Sequence, residues 1–454
     1  MIKRLSSIVA VAVAVALGAT SCTAPRSVPS ASANQLASVV EIPDSPLGEV
    51  TTWALAIIQG ETDVTVTDIE ERFAPEAIAQ IGTPADLVAA FESLQTLAPY
   101  KVLEYQKRGA TAGTRVEAGG NAYMLSVSLD DAGLLTSFAV QAAPEIPEPA
   151  ANWDELTERI EEIGAPVAVS VFDVTSGDVT DPTFSGGDLK GAQPSGSMFK
   201  LFVLLAVVDA VEQGTLTWDH TLILSDATRS LPSGVLQKEP DGTEVTVEEA
   251  ALGMISISDN TAADLLIEAV GAAAVDAQIT EHAPDGADRT TPLLSTRALF
   301  QIGWGDETLR GQWAAADDAG REALLKRVAA APLTTSVTDV TVPVWEDDLD
   351  WFFSAADLAR AHLALDQAGD TEAGAPLARI LTANPALETA DDWDSVAFKG
   401  GSSIGVMGGS WLLKDADATY VVVAQSATHS DDEYLAQYSV LYLGMNAAVL
   451  LADH

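Results

Sequence analysis

Apolar and polar positions change rhythm several times along this chain. Residues 8–17 read IVAVAVAVAL, an unbroken apolar run. About ten such residues are too few to span a bilayer as a helix, and with Lys3 and Arg4 in front they read as a secretory signal. From about Ser45 the apolar residues take helical spacing: Trp53, Leu55, Ile57 and Ile58 before Gly60, then Ile69 and Phe73. A further helix starts at Pro84 and carries Leu87, Val88, Phe91, Leu94 and Leu97. Strand alternation takes over at Tyr123, Leu125, Val127 and Leu129, followed by a polar turn at 130–133 and a second run over 134–140. Helices followed by an antiparallel sheet predict a small α+β domain over residues 45–141.

The stretch AAPEIPEPAA at 142–151 has three prolines and no apolar period, so a stiff linker belongs there. Beyond it Asn152 is placed to cap a helix running to Ile163, and 167–174 read as a strand. Strand patterns return at 394–399, 409–413 and 419–424, and an amphipathic helix closes the chain over 431–451. Strands at both ends with helical sequence between them predict one sheet packed on a helical region, spanning 152–454. The whole is thus two α+β domains.

Composition narrows the function. A formal net charge of −43 repels nucleic-acid phosphates, so no nucleic-acid partner is expected. One cysteine, Cys22, excludes an internal disulfide and a Cys-based zinc site. His220, His282, His362, His429 and His454 never fall at ligand spacing, so neither metal nor other cofactor is expected. Cys22 ends Ala19-Thr20-Ser21-Cys22, which resembles a bacterial lipobox. The expectation is a signal peptide over 1–22, a lipid on Cys22, and a Ser/Ala/Pro-rich tether over 23–44 that holds the domains off the outer face of a bacterial cell membrane.

Candidate chemistry centres on Ser197-Met198-Phe199-Lys200, which runs into the apolar stretch 201–208. If Ser197 opens that helix, Lys200 lies on the same face one turn along. A serine hydroxyl is a poor nucleophile until a base takes its proton, and a lysine serves as that base when burial or a second cation lowers its pKa. The helix start also offers N–H groups to an oxyanion. Ser258-Asp259-Asn260 follows at the head of another apolar stretch, and Lys399-Gly400-Gly401 ends a predicted edge strand. Ser258 and Asn260 are also good helix caps, which is the plainer explanation of those two residues.

The order Ser-x-x-Lys, Ser-Asp-Asn, Lys-x-Gly is that of the penicillin-recognising serine enzymes. Residues 152–454 resemble a class A β-lactamase domain, and the likeness extends to PSGSMFKLFVLLAVVDAVEQGTL and VTVEEAALGMISISDNTAADLL. The first domain looks like the cone-shaped nuclear-transport-factor or steroid-isomerase fold. The mature chain is similar to two-domain actinobacterial serine hydrolases related to the clavulanic-acid-cluster protein. The resemblance implies that Ser197 forms an acyl-enzyme, that Lys200 takes its proton, and that Ser258 relays a proton to the leaving group. It further implies that Asn260 holds Lys200 and the substrate amide and that Lys399 attracts a substrate carboxylate. It assigns the oxyanion hole to the backbone N–H groups of Ser197 and Ser402, with Lys399, Gly400, Gly401 and Ser402 lining the substrate. The partner implied is a β-lactam, ester or peptide acyl donor.

Departures from that family matter as well. The loop Glu followed by Asn that activates the deacylating water has no counterpart between Asn260 and Lys399; Glu346 in VPVWEDDLDW lacks the Asn, and Gly400 replaces the usual Thr. Fast β-lactam hydrolysis is not expected; slow turnover, esterase action or peptidase action fit as well. A competing reading is a non-catalytic binding or scaffold lipoprotein that keeps the fold. Gly401-Ser402-Ser403-Ile404-Gly405 also satisfies G-x-S-x-G, but VMGGSWLLK after it reads as a strand where that motif requires a helix. Tyr100, Tyr105 and Tyr123 are expected in a core or pocket wall, and Trp351, Phe352 and Phe353 in the core.

Lipidation is open to a direct check. Cells expressing the chain and fed an alkyne palmitate analogue should show a labelled protein in the membrane fraction, and Cys22→Ala should abolish the label; undiminished labelling of the variant would reject Cys22 as the anchor.

Overall fold

The computed structural model describes residues 40–452 apart from 41, 76, 79–81, 109–110, 131, 144–148, 430–436 and 438. The expected signal, Cys22 and most of the tether therefore lie outside the described residues, as do much of the 142–151 linker and the start of the last helix. Between Glu145 and Ile146 the chain divides into two compact units. No helix among the described residues is long and apolar enough to cross a membrane.

In the first unit the helices Pro46–Ile58, Val66–Arg72 and Pro84–Gln95 precede four strands, Lys101–Arg108, Thr111–Ala118, Asn121–Leu129 and Leu135–Ala142, paired in sequence as an antiparallel meander. The helix starts are locally encoded. Ser45 caps the first, and Thr65 with Asp68 and Thr83 with Asp86 form capping boxes on the next two. Leu97 lies past the end of its helix, because Pro99 bars continuation. One face of the sheet, with Ala112, Val116, Leu125 and Val127, buries against Ile57, Ile58 and Phe91. The second strand escapes the apolar pattern because its inward residues include Ala112, Thr114 and Ala118, too small or too polar to mark an alternation. Tyr100 is buried, and Tyr105 and Tyr123 pack at the edge of this core.

The second unit is built on a five-stranded antiparallel sheet in the order Ser395–Ser403, Val406–Lys414, Thr419–Ala427, Val167–Asp173, Phe184–Gly187. The early strand thus pairs with a late one, and Ser395–Ser403 is an edge. One face carries the helices Trp153–Glu162, capped by Asn152, and Ser439–Ala452. The other face covers the helix Lys200–Glu212, in which every residue from Lys200 to Val208 is buried. A helix apolar all round has no solvent face and must run through the middle of a core.

Two stacked pairs lock the head of that helix: Phe199 on Trp351, with centroids 3.8 Å apart, and Phe202 on Phe353 at 4.4 Å. Phe352–Phe353 also pairs with Gln193–Pro194, tying the segment around 350 to the turn before Ser197. On its other side that turn meets the edge strand at bare backbone. A Cβ on Gly401 would stand 1.9 Å from the Ser195 carbonyl oxygen. Gly401→Ala should accordingly destabilise the domain by about 1–3 kcal/mol, read from urea unfolding of this unit; an unchanged midpoint would mean the contact yields without strain.

Candidate active site

Ser197 lies in a tight turn, Gly196–Phe199, that runs directly into the Lys200–Glu212 helix. The Lys200 N–H donates to the Ser197 carbonyl, so the two side chains leave the same side of the chain one turn apart. Ser197 is half-buried, whereas the Lys200 side chain is wholly enclosed.

Lys200 Nζ donates to the Ser258 carbonyl at 2.6 Å and to Asn260 Oδ1 at 2.7 Å, and lies 3.2 Å from Ser258 Oγ. From the edge strand Lys399 Nζ, also buried, reaches Ser258 Oγ at 3.0 Å and the Gly400 carbonyl at 2.7 Å. One hydroxyl therefore stands between two enclosed amines. Burial and like charge both disfavour protonation of the second amine. With its two lone pairs turned to the lysines, the Ser258 O–H is left to point elsewhere and donate.

Ser258 holds this position in a left-handed backbone conformation, φ +59°, uncommon for a residue with a Cβ. Ser233 Oγ donates to the Ser258 carbonyl at 2.6 Å, the same oxygen that accepts from Lys200. Asn260 spans outward too, Nδ2 donating to the Leu231 carbonyl at 3.1 Å. The cap of the following helix is Asp259, which accepts from Ala262 N through Oδ1 and from Val235 and Leu236 N–H through Oδ2. Capping therefore does not explain Ser258 or Asn260, whose side chains face the lysines.

Behind Lys399 a second chain of contacts runs through the sheet. Ser410 Oγ donates to the Lys399 carbonyl at 3.3 Å, and His362 Nε2 lies 2.9 Å from Ser410 Oγ. Burial pushes the His362 pKa down to about 4, so the ring is neutral. Asp264, accepting from Thr296 and Arg297 N–H, is pushed up to about 6 by burial. The edge strand passes so close to the nucleophile turn that a Cβ on Gly196 would stand 2.6 Å from Ser402 N. Ser197 and Ser402, the expected oxyanion donors, thus lie on neighbouring stretches of backbone, with Gly400 and Gly401 leading to Ser402.

Sequence reasoning did not find Ser233, Ser410 or His362. Nothing local marks Ser233, and His362 lies on a helix whose other buried positions are mainly apolar. Trp351, Phe352 and Phe353 are buried core. Glu346 instead pairs with the exposed His429, whose ring packs 4.5 Å from Trp345. Ser403 of the G-x-S-x-G string enters a hairpin and is followed by the strand Val406–Lys414, so no helix supports it as a nucleophile. Among the described residues no cluster of His, Cys, Asp or Glu could hold a metal ion.

Residues 154–320 match the model of the β-lactamase enzyme family, and residues 42–135 match one described as the ORF 12 gene product N-terminal family. No curated protein matches the chain. Among solved structures, a β-lactamase from Sphaerobacter thermophilus is 20% identical with a TM-score of 0.43, over 67% of this chain and 98% of its own. PBP-A is 18% identical at 0.42, over 68% of this chain and 99% of its own. An ancestral class A β-lactamase is 20% identical at 0.43, over 65% and 99%.

The neutral imidazole behind Lys399 makes stability depend on acidity. In the folded chain its pKa stands at about 4, against 6.5 for an unperturbed histidine. The unfolded chain takes up that proton first as pH falls, so the contribution is complete above about 6.5 and lost toward about 4. The urea midpoint of wild type relative to His362→Gln should therefore improve between pH 4 and 6.5; a constant offset would show that the ring does not titrate in this way.

Proposed function

We propose that this chain, whose C-terminal region is a class A β-lactamase-like serine hydrolase domain, is a membrane-anchored enzyme that forms an acyl-enzyme on Ser197. The observation that carries the reading is the Ser258 hydroxyl shared by the two buried amines of Lys200 and Lys399, beside the turn that holds Ser197. In the proposed reaction Lys200, with its amine neutral, takes the Ser197 proton as Oγ bonds to the donor carbonyl carbon. Negative charge then grows on the carbonyl oxygen, toward the Ser197 and Ser402 N–H groups. Collapse breaks the bond to the leaving nitrogen or oxygen, which takes its proton from the Ser258 hydroxyl. Lys200 returns a proton to Ser258 across the 3.2 Å contact. Lys399 keeps its charge, attracts an anionic group on the donor, and disfavours a proton on Lys200.

Release from Ser197 requires an activated water. Class A β-lactamases use a loop Glu with a following Asn for this, and the segment around Glu346 offers no such pair. Slow release of a β-lactam, or turnover of an ester or peptide donor, follows from that difference. Three helices followed by an antiparallel four-stranded sheet in the first unit support a cone-shaped fold of the nuclear-transport-factor kind. The lipobox-like sequence at Cys22 supports an anchored, extracytoplasmic location.

Mass spectrometry of the protein after exposure to a fluorescent penicillin and to an activated ester tests this. The expected result is a single adduct on wild type, absent from Ser197→Ala, slowed about 10²–10⁴-fold in Lys200→Ala, and slow to decay when the donor is a β-lactam. Failure of every donor to leave an adduct on folded wild type would favour a binding module with a silent site.

A further inference from the structure

The turn that carries Ser197 is wrapped around a carboxylate that the proposed mechanism does not use. Asp350 is 1% exposed. Its Oδ1 accepts from three backbone N–H groups, Trp351 at 2.7 Å, Gly196 at 2.8 Å and Ser195 at 3.1 Å. Its Oδ2 is buried without a hydrogen-bond partner. Ser195 has φ −125° and ψ −2°, and Gly196 has φ +50°. A right-handed or bridge residue followed by a left-handed one turns consecutive N–H groups toward one point, the concave arrangement that binds anions. Here the chain supplies its own anion.

The neighbouring contacts make this the fixed end of the turn. Ser195 N–H also donates to the Trp351 carbonyl at 2.8 Å. Gln425 Nε2 donates both to Ser195 Oγ and to the Phe353 carbonyl at 3.1 Å. Gly196 N–H has only Asp350, and it lies on the Ser195–Gly196 peptide, one link before the Gly196–Ser197 peptide. Fixing that first peptide, with Gly196 held at φ +50°, fixes where the next one starts and so where the Ser197 hydroxyl and N–H point. A carboxylate with one oxygen unpaired is an expensive way to fill a core, and for packing alone an apolar side chain would serve.

Resting on the reading of Ser197 as a nucleophile, we propose that Asp350 is a positioning residue: its carboxylate clamps the Ser195 and Gly196 amides and so aims the Ser197 hydroxyl and N–H at the acyl donor. It touches neither substrate nor the reacting atoms. The essential property is the acceptor oxygen, so an isosteric amide keeps the function and an alanine loses it. The Ala variant leaves the Gly196 N–H buried without a partner and the turn free to shift, and a misplacement of about 1 Å costs about 10²-fold in rate.

The test compares wild type, Asp350→Asn and Asp350→Ala, each checked for folding, by the acylation rate constant at saturating activated ester and by the concentration that half-saturates it. The expected result is a fall of about 10²-fold in the rate constant for Asp350→Ala with the half-saturating concentration unchanged, and most of that loss recovered in Asp350→Asn. A folded Asp350→Ala that acylates at the wild-type rate overturns the proposal, as does an Asp350→Asn that falls as far as Ala. Should Asp350→Ala not fold, an amide measurement on wild type decides. Burial raises the Asp350 pKa to about 6, with Arg289 the charge that opposes the shift. The amide proton signals of Ser195, Gly196 and Trp351 should therefore move together with one midpoint there, and stay put in Asp350→Asn. Three signals that fail to move as one would overturn the clamp. That readout needs no acyl donor, so a wild type that never acylates would reject the hydrolase reading separately.

Discussion

A single oxygen, Ser258 Oγ, lies 3.2 Å from one buried amine and 3.0 Å from another. Much of the second unit can be read as what is needed to keep it there. Two amines taken out of water lose hydration, and that is tolerable only where acceptors surround them. The acceptors are the Ser258 and Gly400 carbonyls and Asn260 Oδ1. Three separate pieces of chain have to meet: the head of a buried helix, the turn before another helix, and an edge strand. Ser258 reaches its place only by adopting φ +59°, and hydrogen bonds to its carbonyl from Lys200 and Ser233 hold that conformation.

Backbone contact supplies the tolerance this arrangement needs. Where Gly196 and Gly401 face each other's strands, neither has room for a Cβ. Side chains between turn and strand would introduce rotamers and slack; bare backbone gives one separation. The aromatic stacks of Phe199 on Trp351 and Phe202 on Phe353 press from the far side. Lys200 and Lys399 are thus carried by elements whose spacing is set by backbone van der Waals contact rather than by flexible groups.

What could be read from sequence divides along a physical line. Ser197, Lys200, Ser258, Asn260 and Lys399 were visible because each belongs to a short string whose spacing is itself the geometry, and the later strands announced themselves by runs such as WLLK and YVVVA. Their meeting in one place is what the structure adds. Hidden were the supports: Ser233, His362, Ser410 and Asp350 act through long-range contacts, and a lone Ser, His or Asp carries no mark of its partner. The strand Thr111–Ala118 stayed hidden for another reason, since small inward residues leave no alternation to detect. The tripeptide 258–260 reads from sequence as either a helix cap or a set of polar groups for chemistry; in the structure Asp259 is the cap, and Ser258 and Asn260 turn to the lysines.

The order of strands in the sheet bears on how the molecule comes into being. Val167–Asp173 is an inner strand whose neighbour on one side is Thr419–Ala427, nearly the whole domain later in the chain. A ribosome delivers the first long before the second, and loop closure over that span is slow. Until then the apolar strand and the all-apolar helix after it are without their cover, so a nascent or clipped chain offers sticky surface and no assembled amine pair. A chain that stops before Ser395–Ser403 lacks Lys399 and has no second amine to bring to Ser258.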